Sequence, residues 1–300
     1  MPSIRSTAVR SVVVAGLMKS ALNLKKKTAA QLRSSGPKPL KPPRGTTVEP
    51  LSVAGLSAEW VRANAVSPDN GRTILYFHGG AFVMGSCAQY RDMAARISKA
   101  SGAPVLTVEY RLAPEHKYPA ANEDCLAAYR WVLDSGVPFD SLVVGGDSAG
   151  GFLVLTTLLA LRDAGDPLPA GAFLLSPFLD PIHFDGESYV TREKLDPLND
   201  RRTFEIAAEH FLGNPAPGTL ESPLRQALSG LPSLLVQVGD REVVLSDATR
   251  LVERARLAGV DATLEVWSGM WHVFQVFAGW VPEARQAVDS IGAFVRQRVV

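Results

Sequence analysis

The sequence predicts an α/β protein built on an eight-stranded, mostly parallel sheet with helices on both faces. Three observations carry that expectation. From about residue 46 onward, eight short apolar runs alternate with segments of helical spacing, the signature of a doubly wound sheet. Several runs, among them TILYFH (73–78) and AGAFLL (170–175), are nearly continuous in apolar residues, as strands covered on both faces must be. A chain of 300 residues, 46% hydrophobic, has the material for one such domain or two smaller ones.

Taken in order, residues 5–33 place Val9, Val13, Leu17, Ala21 and Leu24 at helical spacing, which predicts one or two amphipathic helices. The stretch SSGPKPLKPPRG (34–45) cannot be helical and reads as a linker. Strands are predicted at 47–54, 57–64, 73–78, 104–110, 141–146, 170–175, 233–238 and 262–267. The helices between them fall at 88–101, 119–134, 149–163, 246–258 and 282–299, with Pro119 and Pro282 suited to first turns and Gly102, Gly136 and Gly259 to ends. One segment breaks the rhythm. Residues 180–225 are irregular, with two helices expected near 187–194 and 200–212, and an insertion of that size in an α/β sheet serves as a lid over the ligand crevice.

Net charge is +1, but the distribution is uneven. Residues 1–48 hold ten Lys and Arg and no Asp or Glu, so the remaining 21 basic and 30 acidic residues leave the rest of the chain at −9. A body of that sign repels phosphate, which excludes a nucleic-acid-binding main domain. The apolar run Val12 to Met18 is too short to span a bilayer and lacks a clear cleavage site, which argues against a secretory leader. Cys87 and Cys125 show no CxxC or metal spacing, so reduced, buried thiols in a cytoplasmic protein are expected.

The chemistry concentrates at strand ends. Gly146-Asp147-Ser148-Ala149-Gly150 fits G-x-S-x-G directly after an apolar strand and at the start of an apolar helix. There a sharp turn holds the serine hydroxyl exposed and strained. Tyr76-Phe77-His78-Gly79-Gly80-Ala81-Phe82 also follows a strand, and a Gly-rich turn can aim successive backbone N–H groups at one point, as an oxyanion hole requires. His78 itself reads as structural. Of the five histidines (His78, His116, His183, His210, His272) only His272 follows the last strand, where the base belongs in the order Ser, acid, His. The acid leaves the preceding strand, where Asp240, Glu242 and Asp247 are all within reach. Asp247 is explained by a helix first turn and Asp240 by a turn of its own, so Glu242 is preferred, with the other two still open. Phe82, Met84, Phe178, Leu179, Phe204, Phe211 and Val273 are candidates to line an apolar acyl pocket. Asp147, beside the serine, is counted with the substrate-contacting residues.

Four blocks in order, HGGAF (78–82), YRLAPEHKYPAA (110–121), GDSAGG (146–151) and GDREVVLSD…AGV…MWHVF (239–274), resemble the bacterial hormone-sensitive-lipase-like esterases of the α/β-hydrolase superfamily. The match runs from about residue 73 to 275. The resemblance implies a Ser148–His272–acid triad with the acid at Glu242. It also implies an oxyanion hole from the N–H groups of Gly80, Ala81 and Ala149, with Gly79 shaping the turn. Ala81 stands where the family usually has a third glycine. Tyr110, Arg111, Pro114 and Asp124 are implied to brace the catalytic loops. The resemblance further implies a cap in which residues 1–45 pack with an insertion at about 183–221, the rest of 46–300 forming the catalytic domain, and a homodimer joined near the last strand.

The expected function is a serine carboxylesterase acting on short- to medium-chain acyl esters through an acyl-enzyme, without metal or organic cofactor. The competing readings are a non-catalytic small-ligand-binding protein on the same fold and an amidase. For the basic arm, docking onto the acidic body competes with contact to an anionic membrane surface.

Overall fold

The structure, a computed structural model, describes residues 2–12, 31, 33–34, 38–64, 66–67, 71–213 and 221–299. Its strands are β1 (Thr47–Val53), β2 (Leu56–Arg62), β3 (Thr73–Phe77), β4 (Val105–Val108), β5 (Leu142–Asp147), β6 (Gly171–Leu175), β7 (Ser233–Gly239) and β8 (Ala262–Trp267). They form one sheet in the order β1-β2-β4-β3-β5-β6-β7-β8. The β1–β2 hairpin and the β2–β4 pair are antiparallel, and every pair from β4 to β8 is parallel. This is the α/β-hydrolase arrangement, and each strand lies within a few residues of its predicted range.

The period-2 alternation of strands explains why these runs are apolar throughout. Ile74, Tyr76, Val105, Val143 and Phe173 face a layer made by α1 (Cys87–Ser101) and α7 (Pro282–Arg298), where Met93, Ile97, Ala287 and Ile291 meet them. Their neighbours Leu75, Phe77, Leu106, Val144 and Leu174 face the opposite layer of α2 (Ala120–Asp134), α3 (Ala149–Ala164) and α6 (Leu245–Leu257). Helix α3 is central: Phe152, Leu153, Val154, Leu155, Leu158, Leu159 and Leu161 are all buried, each stabilising the fold by roughly 1.5–3 kcal/mol. Ser86 caps α1 by accepting from the Gln89 N–H (3.3 Å), and Gly102 closes it in the left-handed conformation.

The insertion carries α4 (Ser188–Thr191) and α5 (Arg201–Leu212). The sequence predicts the first over 187–194, and the structure shortens it to four residues. Two contacts account for that. The Ser188 hydroxyl donates to the Val243 carbonyl (2.6 Å), tying the helix start to the body, and Asp196 folds the following chain by accepting from the Leu198 and Asn199 amides. Asp200 then caps α5 through the Thr203 N–H (2.7 Å).

In the N-terminal region, residues 4–12 are helical. Ser3 donates through its amide and hydroxyl to Glu283 (2.5 and 2.9 Å), and Val9 packs on the α1–α7 layer. Arg33 donates to the carbonyls of Val83 and Ala113 (both 2.7 Å) and pairs with Glu115. The predicted helical positions Val13, Leu17, Ala21 and Leu24 lie outside the described residues.

Candidate active site

Ser148 occupies the turn between β5 and α3 with φ 50° and ψ −117°, a conformation a side chain enters only when its surroundings enforce it. The surroundings are tight. A Cβ on Gly146, in the incoming strand, would collide with the Gly150 carbonyl of the outgoing helix, and one on Gly150 with the Phe77 carbonyl at the end of β3, so both approaches are close enough to need glycine. Ser148 Oγ lies 2.9 Å from His272 Nε2, and His272 Nδ1 lies 2.9 Å from Glu242 Oε2. Because a carboxylate only accepts, Nδ1 carries the ring proton and Nε2 is left to accept from the serine hydroxyl.

Glu242 is fully buried, and its other oxygen accepts from the Gly239 N–H (2.5 Å) and the Ser176 hydroxyl (2.8 Å). Burial by itself lowers the His272 pKa. The hydrogen bond and charge of Glu242, with Asp196 and Asp147 beyond it, outweigh that effect and hold it above the usual imidazole value. The other acid candidates sit elsewhere. Asp240 Oδ1 accepts from the Gly269 N–H (2.8 Å), bracing the loop that carries His272. Asp247, in the first turn of α6, is fully buried and accepts from the Leu179 and Asp180 amides (2.8 and 3.3 Å) and the Tyr189 hydroxyl (3.1 Å).

Facing Ser148 is the loop after β3. The N–H groups of Gly80, Ala81 and Ala149 have no acceptor among the described residues. Ala149 is the first residue of α3, so its amide adds the positive end of a helix dipole. Gly80 and Ala81 take φ 122° and 57°; alanine adopts the left-handed region here despite its Cβ. Gly79 contributes shape, not a free donor, since its N–H goes to Asp147 Oδ1 (2.9 Å) and the Tyr90 hydroxyl (3.1 Å). Asp147 also accepts from the hydroxyls of Tyr76 and Tyr90 (both 2.8 Å). Burial pushes its pKa up to about 6 against the opposing pull of those three donors. His78 stays neutral, lowered to about 4 by burial, with its ring stacked on Tyr110 at 4.3 Å. The Tyr110 hydroxyl holds the His78 carbonyl (2.6 Å), and Arg111 pairs with Asp124.

A cavity of about 240 Å³ opens over Ser148, lined in part by Gly80, Ala81, Met84, Asp147, Phe204, His272 and Val273. Four expected lining residues do not reach it. Phe82, Phe178, Leu179 and Phe211 are fully buried. Phe82 stacks on Phe211 at 3.8 Å and Phe178 packs on Phe204 at 4.7 Å, so this aromatic cluster backs the wall instead of forming it. The wall is completed by residues that sequence reasoning missed: Val83, Tyr90, Asn199, Thr203, Ile206, Ala207 and Val276. Thr203, Phe204, Ile206 and Ala207 recur at three- and four-residue spacing on one face of α5, a periodicity that was available in the sequence. Asp196 was also missed. Its Oδ2 accepts from the Val243 N–H (3.1 Å), next to Glu242, and burial pushes its pKa to about 6. Among the described residues, no group of three or more His, Cys, Asp or Glu side chains could hold a metal ion, and no helix is long and apolar enough to cross a membrane.

A family profile described as alpha/beta hydrolase fold matches residues 74–276. An acetyl-hydrolase of Streptomyces hygroscopicus is 42% identical over 247 residues, 82% of this chain and 81% of that protein. An esterase of Acinetobacter venetianus is 35% identical over 256 residues, 84% and 83% of the two chains. The crystal structure of an esterase from the bacterial hormone-sensitive lipase family superposes with a TM-score of 0.89 at 40% identity and covers 100% of both chains. With relatives of that identity spanning its sheet, insertion and strand-end loops, the chain belongs to the α/β-hydrolase-fold family, within the hormone-sensitive-lipase-like carboxylesterases.

Proposed function

We propose that Ser148, His272 and Glu242 carry out ester hydrolysis by acyl transfer, with the amides of Gly80, Ala81 and Ala149 as the oxyanion hole. His272 Nε2 takes the hydroxyl proton as Ser148 Oγ bonds to the ester carbonyl carbon. The carbonyl oxygen becomes an oxyanion held by the three amides, each worth about 3 kcal/mol in the transition state. Collapse expels the alcohol, which receives the proton from His272 and leaves an acyl-serine. Water then gives a proton to the same nitrogen, attacks the acyl carbon, and the acid departs as Ser148 recovers its hydrogen. Glu242 orients the ring and stabilises the imidazolium through both half-reactions.

A single observation carries the reading. The Ser148–His272 contact of 2.9 Å sits beside three backbone donors that have no acceptor among the described residues. The substrate class we infer is a short- to medium-chain acyl ester. The cavity of about 240 Å³ lies below the roughly 300–1,000 Å³ of drug-sized ligand sites. The relative from Streptomyces hygroscopicus is named for an acetyl group. We read residues 1–45 and about 183–221 as the cap: α5 supplies part of the cavity wall, and Arg33 grips the carbonyl of Val83 in the oxyanion loop. A reducing, cytoplasmic setting is supported by Cys87 and Cys125, both free and buried. Ser148→Ala is expected to abolish hydrolysis of p-nitrophenyl acetate and butyrate while the circular dichroism spectrum and melting transition stay in place. Turnover retained in that variant overturns the assignment.

A further inference from the structure

Seven non-glycine residues among those described have positive φ, and five of them belong to the site: Ser148 itself and, on the loops around it, Ala81, Phe82, Ser176 and Val273. Backbone strain of this kind survives where function requires it, since each instance costs on the order of 1–3 kcal/mol. Ala81 and Phe82 shape the oxyanion loop, Ser148 is the nucleophile, and Val273 follows the base. Ser176, at the end of β6 with φ 46°, belongs to none of these. It is fully buried, and its hydroxyl makes two contacts. The hydroxyl donates to Glu242 Oε1 (2.8 Å) and accepts from the Val273 N–H (3.0 Å).

We propose that Ser176 is a positioning residue of the reaction, locking the acid and the histidine loop in register through one hydroxyl. The proposal deepens the triad reading given above and rests on it. Glu242 reaches His272 through Oε2 only while Oε1 is pinned, and Oε1 has two donors, Gly239 N–H from the strand end and Ser176 Oγ from the neighbouring strand. A hydroxyl is the smallest side chain that can donate in one direction and accept in another. That is the combination needed between a carboxylate and a backbone amide. With Ser176 Oγ gone, the carboxylate is free to turn and the His272 loop loses its anchor at residue 273. The charges facing His272 are the carboxylates of Glu242, Asp196 and Asp147. Loosening Glu242, the one directly bonded, lets burial pull the imidazole pKa down.

The test measures kcat and KM for p-nitrophenyl acetate from pH 5 to 9 in Ser176→Ala, Ser176→Gly, Glu242→Gln, and Ser176→Ala combined with Glu242→Gln. Deleting the hydroxyl is expected to lower kcat about tenfold or more, as for loss of a hydrogen bond to a charged group. KM should stay within about twofold, and the acid limb of the kcat profile should move to lower pH. Ser176→Gly, which relieves the positive φ and keeps the variant foldable, should behave like Ser176→Ala. In the Glu242→Gln background the same deletion should cost less than about twofold, because both changes act on one contact. Wild-type kcat and pH profile in Ser176→Ala, recovery of the rate in Ser176→Gly, or multiplicative losses in the double variant each overturn the proposal. Fluorophosphonate labelling of Ser148 in the wild type is run alongside. No label there brings down the triad reading and this one with it; a label with an unimpaired Ser176→Ala brings down this one alone.

Discussion

Asp247→Asn should stabilise the protein at alkaline pH and leave catalysis in place. The carboxyl is fully buried; burial first, and then the charge of Asp180, push its pKa from 3.8 to about 7 despite donors at Leu179, Tyr189 and Asp180. The sign follows from proton linkage. Below 3.8 both folded and unfolded states hold the proton and no penalty exists. Between 3.8 and about 7 the unfolded state releases it first, so stability drains away as pH rises, and above 7 the full penalty remains. Three pK units at 1.36 kcal/mol each set an upper bound of about 4 kcal/mol. Asparagine keeps an acceptor for the Leu179 and Asp180 amides and the Tyr189 hydroxyl. It also puts an N–H₂ where Asp247 Oδ1 has no hydrogen-bond partner among the described residues, near Asp180, whose Oδ2 likewise has no hydrogen-bond donor among them and only Arg225 at 3.9 Å. The gain over wild type should therefore grow by about 3 kcal/mol between pH 5 and pH 8. Urea denaturation at both pH values reads it directly, with p-nitrophenyl acetate turnover as the companion assay. A gain that is flat with pH, or a variant less stable at pH 8 than wild type, refutes the burial reasoning. Collapse of kcat would instead restore Asp247 as a candidate catalytic acid.

Three further variants separate the remaining assignments. Glu242→Gln should reduce kcat by roughly 10²–10⁴-fold, since the ring loses its tautomer control, and should shift the acid limb downward because His272 is held high by that carboxylate. Asp240→Asn should change kcat less than about threefold, because an amide oxygen can still accept from Gly269; the reverse ranking would reassign the acid. Deleting residues 1–45 removes Arg33 from the carbonyls of Val83 and Ala113. If the arm belongs to the cap, this changes the acyl-length profile across p-nitrophenyl esters from C2 to C12. An unchanged profile with lost binding to anionic phosphatidylserine vesicles assigns the arm to membranes instead.

The sheet was legible because its strands are short apolar runs set between helical segments, and β3, β5 and β7 also end in glycine-containing turns. Ser148 and the Gly79–Gly80–Ala81 turn stood out for the same reason: each lies in a short run of consecutive residues directly after an apolar strand, and the roles proposed for them are those of local devices. Residues whose role comes from a meeting of distant segments were not. Ser176 lies 66 positions from Glu242 and Asp196 lies 47 from Val243, and neither sits in a motif of its own. The pocket wall shows a related limit. Phe82 and Phe211 have the right polarity and neighbourhood, but periodicity cannot say whether an aromatic ring faces a cavity or another ring; stacked at 3.8 Å, they face each other. The first insertion helix was overextended because its start is tied to Val243, more than fifty residues along the chain, and the chain after it is folded by Asp196, whose turn is no strong helix stop in the sequence.

Asp196 has a consequence for how this enzyme could be altered. One of its oxygens holds the amide of Asn199, a residue of the pocket wall, and the other holds Val243, the neighbour of Glu242. Asp196 thus bonds one residue of the pocket wall and the neighbour of the proposed acid. A substitution that enlarges the cavity by shifting residue 199 is expected to lower kcat together with changing acyl preference, which kinetics on p-nitrophenyl esters of graded length would read. The face of α5 bearing Thr203, Ile206 and Ala207 is anchored separately, by the Asp200 cap. Variation in substrate range, whether by selection or by engineering, has its free ground there.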